Sequence, residues 1–134
     1  MAGYSGTPLP RKLGIKENAG VLIINAPDNY RTLVTPLPDG VRFMARVSNA
    51  TDLIHGFYTQ RAELRKSLSS LRTRIRPDAV VWVSWPKKAS KVPTDIVEDT
   101  IREIALPMGY VDIKVAAFDE VWSALKLVIR KTLR

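Results

Sequence analysis

The sequence predicts a single α/β domain, a three-layer Rossmann-like sandwich built on a mainly parallel sheet of about six strands. Continuous apolar runs such as residues 20–27 and 79–85 are typical of strands buried on both faces. Amphipathic segments alternate with these runs, which favours helices on both faces of a parallel sheet. The last two runs, 110–118 and 121–130, are joined by only two residues, so they predict a C-terminal antiparallel hairpin.

The front half predicts three strands and one short helix. Residues 20–27 form the first strand, and 28–34 form a short helix after the break at Pro27. Residues 41–47 and 52–59 predict the second and third strands. Only four residues separate these two strands, which is too short for a helical crossover. They need not be neighbours in the sheet, because the connection can cross the end of the sheet.

The middle of the chain predicts two helices around the buried strand 79–85. Residues 60–75 form the clearer helix, which has one apolar stripe at spacings of four, three and four residues. Its members are Leu64, Leu68, Leu71 and Ile75. The second helix is expected from about Thr94 to Leu106, with Thr94 or Asp95 as its N-cap.

Length and composition predict one core. The chain has 134 residues, which we divide into an N-terminal arm, 1–19, and a Rossmann-like domain, 20–134. The arm is rich in Gly and Pro and carries Arg11 and Lys12. It is either an ordered strap or lid over the domain or a disordered tail, and the sequence leaves both open.

The formal net charge is +8, which favours anionic partners such as nucleotides, nucleic acid or an acidic surface. The chain has no Cys, which excludes disulfides and thiol catalysis and favours the cytoplasm. No apolar run approaches the roughly 20 residues of a membrane helix, and no signal-peptide core is present, so no membrane association is expected.

From residue 52 onward the pattern resembles the second half of a class I methyltransferase domain. Residues 52–59 resemble the fourth strand of that fold, and 75–84 (IRPDAVVWVS) resemble a helix end, turn and fifth strand. The closing hairpin, 110–130, resembles strands six and seven. The resemblance implies a trimmed methyltransferase-like domain.

The front half departs from methyltransferases. Residues 25–29 (NAPDN) stand where those enzymes have a Gly-rich loop beside the cofactor, and they contain no Gly. The second strand leads to Arg46 instead of a ribose-binding carboxylate, and one strand-helix unit is missing. We therefore expect no bound cofactor and no S-adenosylmethionine-dependent methyltransferase activity.

A resemblance over nearly the whole chain is to an uncharacterised family of small bacterial proteins, a domain of unknown function. It is carried by AGYSGTPLPRKLGIK (2–16), INAP (24–27), WPKKASKVPTD (85–95) and the segment 109–128. It implies a bacterial, cytoplasmic protein and no particular activity.

Ligands in open α/β sheets bind beyond the carboxyl ends of the strands, which predicts an anion-accepting crevice there. We expect lysines to supply charge, hydroxyls and an amide to supply hydrogen bonds, and a tryptophan to supply a stacking or packing surface. These residues are Lys87, Lys88, Ser90, Thr94, Asn25 and Trp85. The alternative is a solvated loop with Trp85 in the core.

Three functions remain open. The first is a non-catalytic binding or interaction module for a small anionic or nucleotide-like ligand. The second is a small enzyme acting on a nucleotide-like or phosphorylated substrate, with Asp95 or Asp119 as its acid or base. The third is nucleic-acid binding through the basic helix 60–76. The only His, His55, is interpreted as structural, no metal site is expected, and the oligomeric state is open.

Overall fold

The computed structural model describes residues 7–134, so predictions for the first six residues of the arm lie outside the described part. The six strands are β1 Gly20–Ile24, β2 Arg42–Phe43, β3 Leu53–Phe57, β4 Val80–Pro86, β5 Tyr110–Ala117 and β6 Trp122–Ile129. The α-helices are α1 Leu9–Leu13, α2 Tyr30–Leu33, α3 Arg61–Arg74 and α4 Glu98–Ala105. Short 3₁₀ turns follow at Lys88–Ser90, Leu106–Met108 and Lys131–Leu133.

The strands form one mixed sheet in the order β2-β1-β3-β4-β6-β5, which confirms the predicted fold class. The first four strands are parallel to one another. β6 runs antiparallel to both β4 and β5. β1 separates β2 from β3, so the short connection between those two strands crosses the end of the sheet as expected.

Each face of the sheet has its own core. On one face, α3 and α4 contribute Leu64, Leu68 and Ile101 to a cluster with Ile54 and Val83 from the strands. On the other face, α1 and α2 pack against β1, β3, β4 and β6 in a second cluster, which is richer in aromatic rings. Burial on both faces explains why β1 and β4 are almost entirely apolar.

The aromatic cluster contains a buried chain of hydrogen bonds. The hydroxyl of Tyr30 lies 3.0 Å from Nδ1 of His55, and Nε2 of His55 lies 2.7 Å from Oγ of Ser84. His55 and Ser84 are 0% exposed. Burial lowers the pKa of His55 to about 3, so the ring is neutral and serves as a structural partner in the core.

Residues 7–19 pack onto the sheet. Leu9 and Leu13 of α1 are buried, and Nε1 of Trp82 donates a hydrogen bond of 2.9 Å to the carbonyl of Leu13. This bond satisfies the indole N–H of a tryptophan that is 0% exposed. The described part of the arm is therefore part of the packed structure.

Two predicted elements differ most in extent from the observed ones. The second strand was expected over 41–47 and is only two residues long, because it pairs with β1 alone and leaves the sheet edge after Met44. The second long helix was expected from about Thr94, and that start is wrong. The hydroxyl of Thr94 donates to the carbonyl of Thr59, which holds the chain in a loop, and α4 begins at Glu98. Among the described residues, no helix is both long and apolar enough to cross a membrane.

Candidate functional site

A groove of about 520 Å³ lies beside the carboxyl end of β1. It lies between β1, the segment 45–47 and α3. Its floor is apolar and includes Leu22, Ile24, Val47 and Leu71. Its volume falls within the roughly 300–1,000 Å³ of small-molecule sites. We call this cavity the basic groove, because of the charges on its rim.

Three cationic side chains line the basic groove: Arg46 from the segment after β2, and Lys66 and Arg74 from α3. The lining contains one carboxylate, that of Glu63. The spacing of Glu63, Lys66, Ser70 and Arg74 places them along one side of α3, next to the stripe that packs on the sheet. The groove therefore combines an apolar floor with a positively charged rim.

Asn25 lies where β1 leads out of the sheet into this groove. Its φ is 55°, in the left-handed region that Asn tolerates better than most residues. Its Nδ2 donates a hydrogen bond of 3.2 Å to the carbonyl of Phe57 at the end of β3. The amide thus holds the ends of two parallel strands together, and its exposed side chain borders the groove.

A hydroxyl pair lies in the wall of the groove. The hydroxyl of Tyr58 and Oγ of Ser67 are 2.5 Å apart, and both residues line the cavity. Burial raises the pKa of Tyr58, so its hydroxyl stays protonated at neutral pH. The pair can donate or accept hydrogen bonds but provides no base.

The loop 87–97 contains four of the predicted site residues, Lys87, Lys88, Ser90 and Thr94, and is bonded to the start of α3 through Asp95. Oγ of Ser90 donates to the carbonyl of Lys87 and accepts from the amide of Val92. Oγ1 of Thr94 donates to the carbonyl of Thr59 and accepts from the amide of Ile96. Both hydroxyls therefore hold the loop in its own conformation.

The remaining predicted residues differ in exposure. The side chain of Lys88 is exposed and that of Lys87 is half-buried. Trp85 is 7% exposed and belongs to the core cluster beneath α3 and α4. It therefore lies in the core, as the alternative interpretation of the sequence expected. Of the six predicted site residues, the structure brings only Asn25 into the lining of the basic groove.

The two carboxylates considered as acid or base have backbone partners. Oδ1 of Asp95 accepts the amide of Arg61 at the start of α3, at 2.7 Å. Oδ1 of Asp119 accepts the amides of Val121 and Trp122 in the hairpin turn. Asp95 is exposed, and neither residue lines the basic groove. Within residues 7–134, no group of three or more His, Cys, Asp or Glu is placed to hold a metal ion.

The fold is similar to that of several solved methyltransferase structures. An S-adenosylmethionine (SAM)-dependent methyltransferase from Aquifex aeolicus superposes with a TM-score of 0.70 at 15% identity, over 90% of this chain and 87% of that one. A protein named as a putative type 11 methyltransferase, from Sulfolobus solfataricus, superposes with a TM-score of 0.64 at 13% identity. The match covers 98% of this chain and 95% of that one. Fibrillarin from Aeropyrum pernix, solved with natively bound S-adenosyl-L-methionine, superposes with a TM-score of 0.55 at 14% identity. The match covers 93% of this chain and 70% of that one.

These likenesses define the class of fold: the chain has a Rossmann-like fold similar to that of the methyltransferases. At these identities the likeness concerns the fold alone. No family model matches the chain, and no curated protein matches it either. The resemblance to an uncharacterised bacterial family therefore stays a prediction.

Proposed function

We propose that this protein is a binding module, without catalysis of its own, for a small anionic, nucleotide-like ligand at the carboxyl edge of the sheet. The observation that carries the proposal is the basic groove, where three cations surround an apolar floor. The base and sugar of a nucleotide fit against Leu22, Ile24 and Val47. Its phosphates then face Arg46, Lys66 and Arg74, and the arginines can bind phosphate oxygens in bidentate fashion.

In this proposal Asn25 borders the base or sugar, and the loop 87–97 acts at longer range. Lys87 and Lys88 add positive potential at the same edge, which attracts an anion as it approaches. Ser90 and Thr94 shape the loop through the hydrogen bonds they already make. Trp85 supports the loop from the core.

SAM itself fits this groove poorly. The turn after β1 contains Asn25, Ala26 and Pro27, without the Gly that allows a cofactor to approach the backbone closely. Arg46 stands on the rim where the methyltransferase pattern has a ribose-binding carboxylate. SAM also carries two positive groups, a sulfonium and an ammonium, and only one carboxylate. Its net charge is therefore positive, and a cationic rim repels it. A nucleotide with phosphates has the opposite charge and is favoured.

Catalysis by Asp95 or Asp119 is disfavoured because both carboxylates accept backbone amides away from the groove. Tyr58 and Ser67 are paired with each other, and the burial that raises the pKa of Tyr58 keeps it from acting as a base near neutral pH. A bound ligand would therefore be held rather than converted.

A thermal-shift panel tests the proposal. It compares ADP, ATP, inorganic phosphate, SAM, its demethylated product and a short RNA at one ionic strength. A ligand at 100 times its Kd stabilises a folded protein by about 2.7 kcal/mol, which is several degrees for a domain of this size. We expect a nucleotide to give such a shift. Stabilisation by RNA alone would instead favour nucleic-acid binding along α3.

A pair of matched variants locates the binding. Arg46→Gln with Lys66→Gln removes two charges from the rim, whereas Arg65→Gln with Lys131→Gln removes two charges from exposed residues that do not line the groove. The rim variant should lose the nucleotide shift, and the control variant should keep it. Equal loss in both variants, or no shift with any nucleotide, would overturn the proposal.

A further inference from the structure

One end of the basic groove carries a carboxylate among the cations of the rim. Glu63, in the first turn of α3, is the one carboxylate in the described lining. The residue is exposed, and no described residue donates a hydrogen bond to its side chain or forms an ion pair with it. Lys66 follows three residues later on α3 and also lines the groove, yet the two side chains are not paired. Both carboxylate oxygens of Glu63 are therefore available to a ligand.

Two hydroxyl groups lie beside Glu63 at this end of the groove. Ser67 follows Glu63 by four residues on α3, which places the two side chains on the same side of the helix with Cβ atoms about 5–6 Å apart. Oγ of Ser67 lies 2.5 Å from the hydroxyl of Tyr58. Burial raises the pKa of Tyr58, and the nearby negative charge of Glu63 raises it further. The three side chains thus form one polar cluster.

The position of the Tyr58 hydroxyl depends on a glycine in β3. A Cβ at Gly56 would overlap the hydroxyl and the ring of Tyr58, so the missing side chain leaves the space in which this ring lies. Tyr58 is 3% exposed and is held in place by the strand. One of the two hydroxyl hydrogens is used between Tyr58 and Ser67, and the other remains to be donated to a ligand. The cluster therefore offers one donor beside two carboxylate acceptors.

The two ends of the groove differ in charge. Arg74 lies near the other end of α3, roughly 16 Å from Glu63 along the helix axis at 1.5 Å per residue. A carboxylate repels phosphate, so the phosphates of a nucleotide in this groove bind away from Glu63 and toward Arg74. The base is at the opposite end of a nucleotide from its phosphates. It therefore faces Glu63.

The common bases differ in what they present to a carboxylate. Guanine has two adjacent donors, N1–H and the 2-amino group, followed by the acceptor O6. A carboxylate can accept two adjacent N–H groups through parallel hydrogen bonds. Adenine and cytosine have an amino group beside a bare ring nitrogen, whose lone pair repels a carboxylate, and uracil has a single N–H between two carbonyls. Two acceptors beside one donor match guanine.

We propose that Glu63 makes the basic groove selective for guanine nucleotides, an inference that rests on the nucleotide binding proposed above. The carboxylate accepts N1–H and the 2-amino group, and the Tyr58–Ser67 pair donates to O6. The phosphates lie toward Arg46 and Arg74. Other nucleotides bind through the same phosphates and the same apolar floor, but more weakly, because their base edge does not match the cluster.

Calorimetric titrations of the full chain with GDP, IDP and ADP test this inference. The three ligands have the same sugar and phosphates and differ only in the base. GDP should bind at least roughly ten-fold tighter than ADP, because a repulsive contact replaces a charge-assisted pair of hydrogen bonds in ADP. The base of IDP keeps N1–H and O6 but lacks the 2-amino group, so IDP should bind with intermediate affinity.

Two matched variants decide whether Glu63 causes the preference. Glu63→Gln replaces the carboxylate with an amide of similar shape that can also pair with adenine, so the preference for GDP over ADP should fall to within about three-fold. The affinity for ADP should stay the same or rise, because a negative charge leaves the groove. Glu103→Gln removes the same charge from an exposed carboxylate of α4 that does not line the groove. It should keep the preference of the parent.

Three results would overturn the inference while nucleotide binding in the groove still stands. The first is equal binding of GDP and ADP to the parent, and the second is a preference for GDP that survives in Glu63→Gln. The third is an equal loss of preference in Glu63→Gln and Glu103→Gln, which would indicate a general effect of charge. Binding of no nucleotide at all would overturn both proposals, so the two failures are distinguishable.

Discussion

Nδ1 of His55 lies 3.0 Å from the hydroxyl of Tyr30, and both residues are almost completely buried. The imidazole edge is packed among aromatic rings, with the ring of Phe57 stacked on it at a centroid distance of 4.4 Å. A charged imidazolium would be poorly solvated there. The imidazole of His55 therefore stays neutral in the folded protein at pH values where it is protonated in the unfolded chain.

This difference in protonation predicts a pH dependence of stability. The pKa of His55 falls from its ordinary 6.5 to about 3 on folding, so between these values the unfolded state binds more protons. Stability should be fully present above pH 6.5 and decline as the pH falls toward 3, by up to about 1.4 kcal/mol per pH unit. Urea unfolding at a series of pH values measures this slope.

The control for the pH prediction is His55→Gln, whose amide can make hydrogen bonds but does not titrate. The variant will be less stable at pH 7, because the amide does not reproduce the shape of the ring. Its stability between pH 6.5 and 4 should nevertheless vary less than that of the parent. Identical slopes in the two proteins would show that other groups, and not His55, set the acid sensitivity.

Docking of α1 gives a second prediction. Leu13 is 1% exposed, and its carbonyl accepts the indole N–H of Trp82. Leu13→Ala should lower the free energy of unfolding by about 2–5 kcal/mol through the cavity it leaves. Leu133→Ala, at a position 48% exposed, should cost much less. Similar losses for both would mean that α1 does not pack on the sheet as described.

Substitution of Asp95 tests whether this residue of the loop 87–97 has a structural or a catalytic role. Its carboxylate accepts the amide of Arg61 at the start of α3, so Asp95→Ala should cost about 1 kcal/mol in unfolding free energy. Asp95→Asn should recover most of that loss, because the amide oxygen of Asn can accept the same hydrogen bond from Arg61. Nucleotide affinity should be the same in both variants. A large change in affinity with unchanged stability would instead give Asp95 a direct role at the ligand.

The sequence predicts the sheet well because hydrophobic patterning reports burial directly. Strands with two covered faces, such as β1 and β4, are almost entirely apolar, and the leucine stripe of α3 follows from its contact with the sheet. The pattern does not locate the start of α4, because Thr94 has the composition of a helix cap but uses its hydroxyl on Thr59. That choice depends on a contact across 35 residues of sequence.

The candidate site was predictable only in part. The rule that ligands bind at the carboxyl ends of strands identified Asn25. The rim of the basic groove was missed because it depends on the open space between α3 and the segment after β2, which no local pattern reports. A signal was present nevertheless: Lys66, Ser70 and Arg74 recur at helical spacing beside the buried stripe, and Arg46 replaces an expected carboxylate.

Nucleotide binding in the basic groove is tested most directly by mapping amide chemical shifts of the ¹⁵N-labelled protein during titration with ADP. We expect saturable shifts at 22–25, at 45–47 and along α3 from Glu63 to Arg74, with α4 unaffected. The Arg46→Gln, Lys66→Gln variant should show the same spectrum without ADP and much smaller shifts with it. Shifts confined to other surfaces, or none at millimolar ADP, would contradict the account.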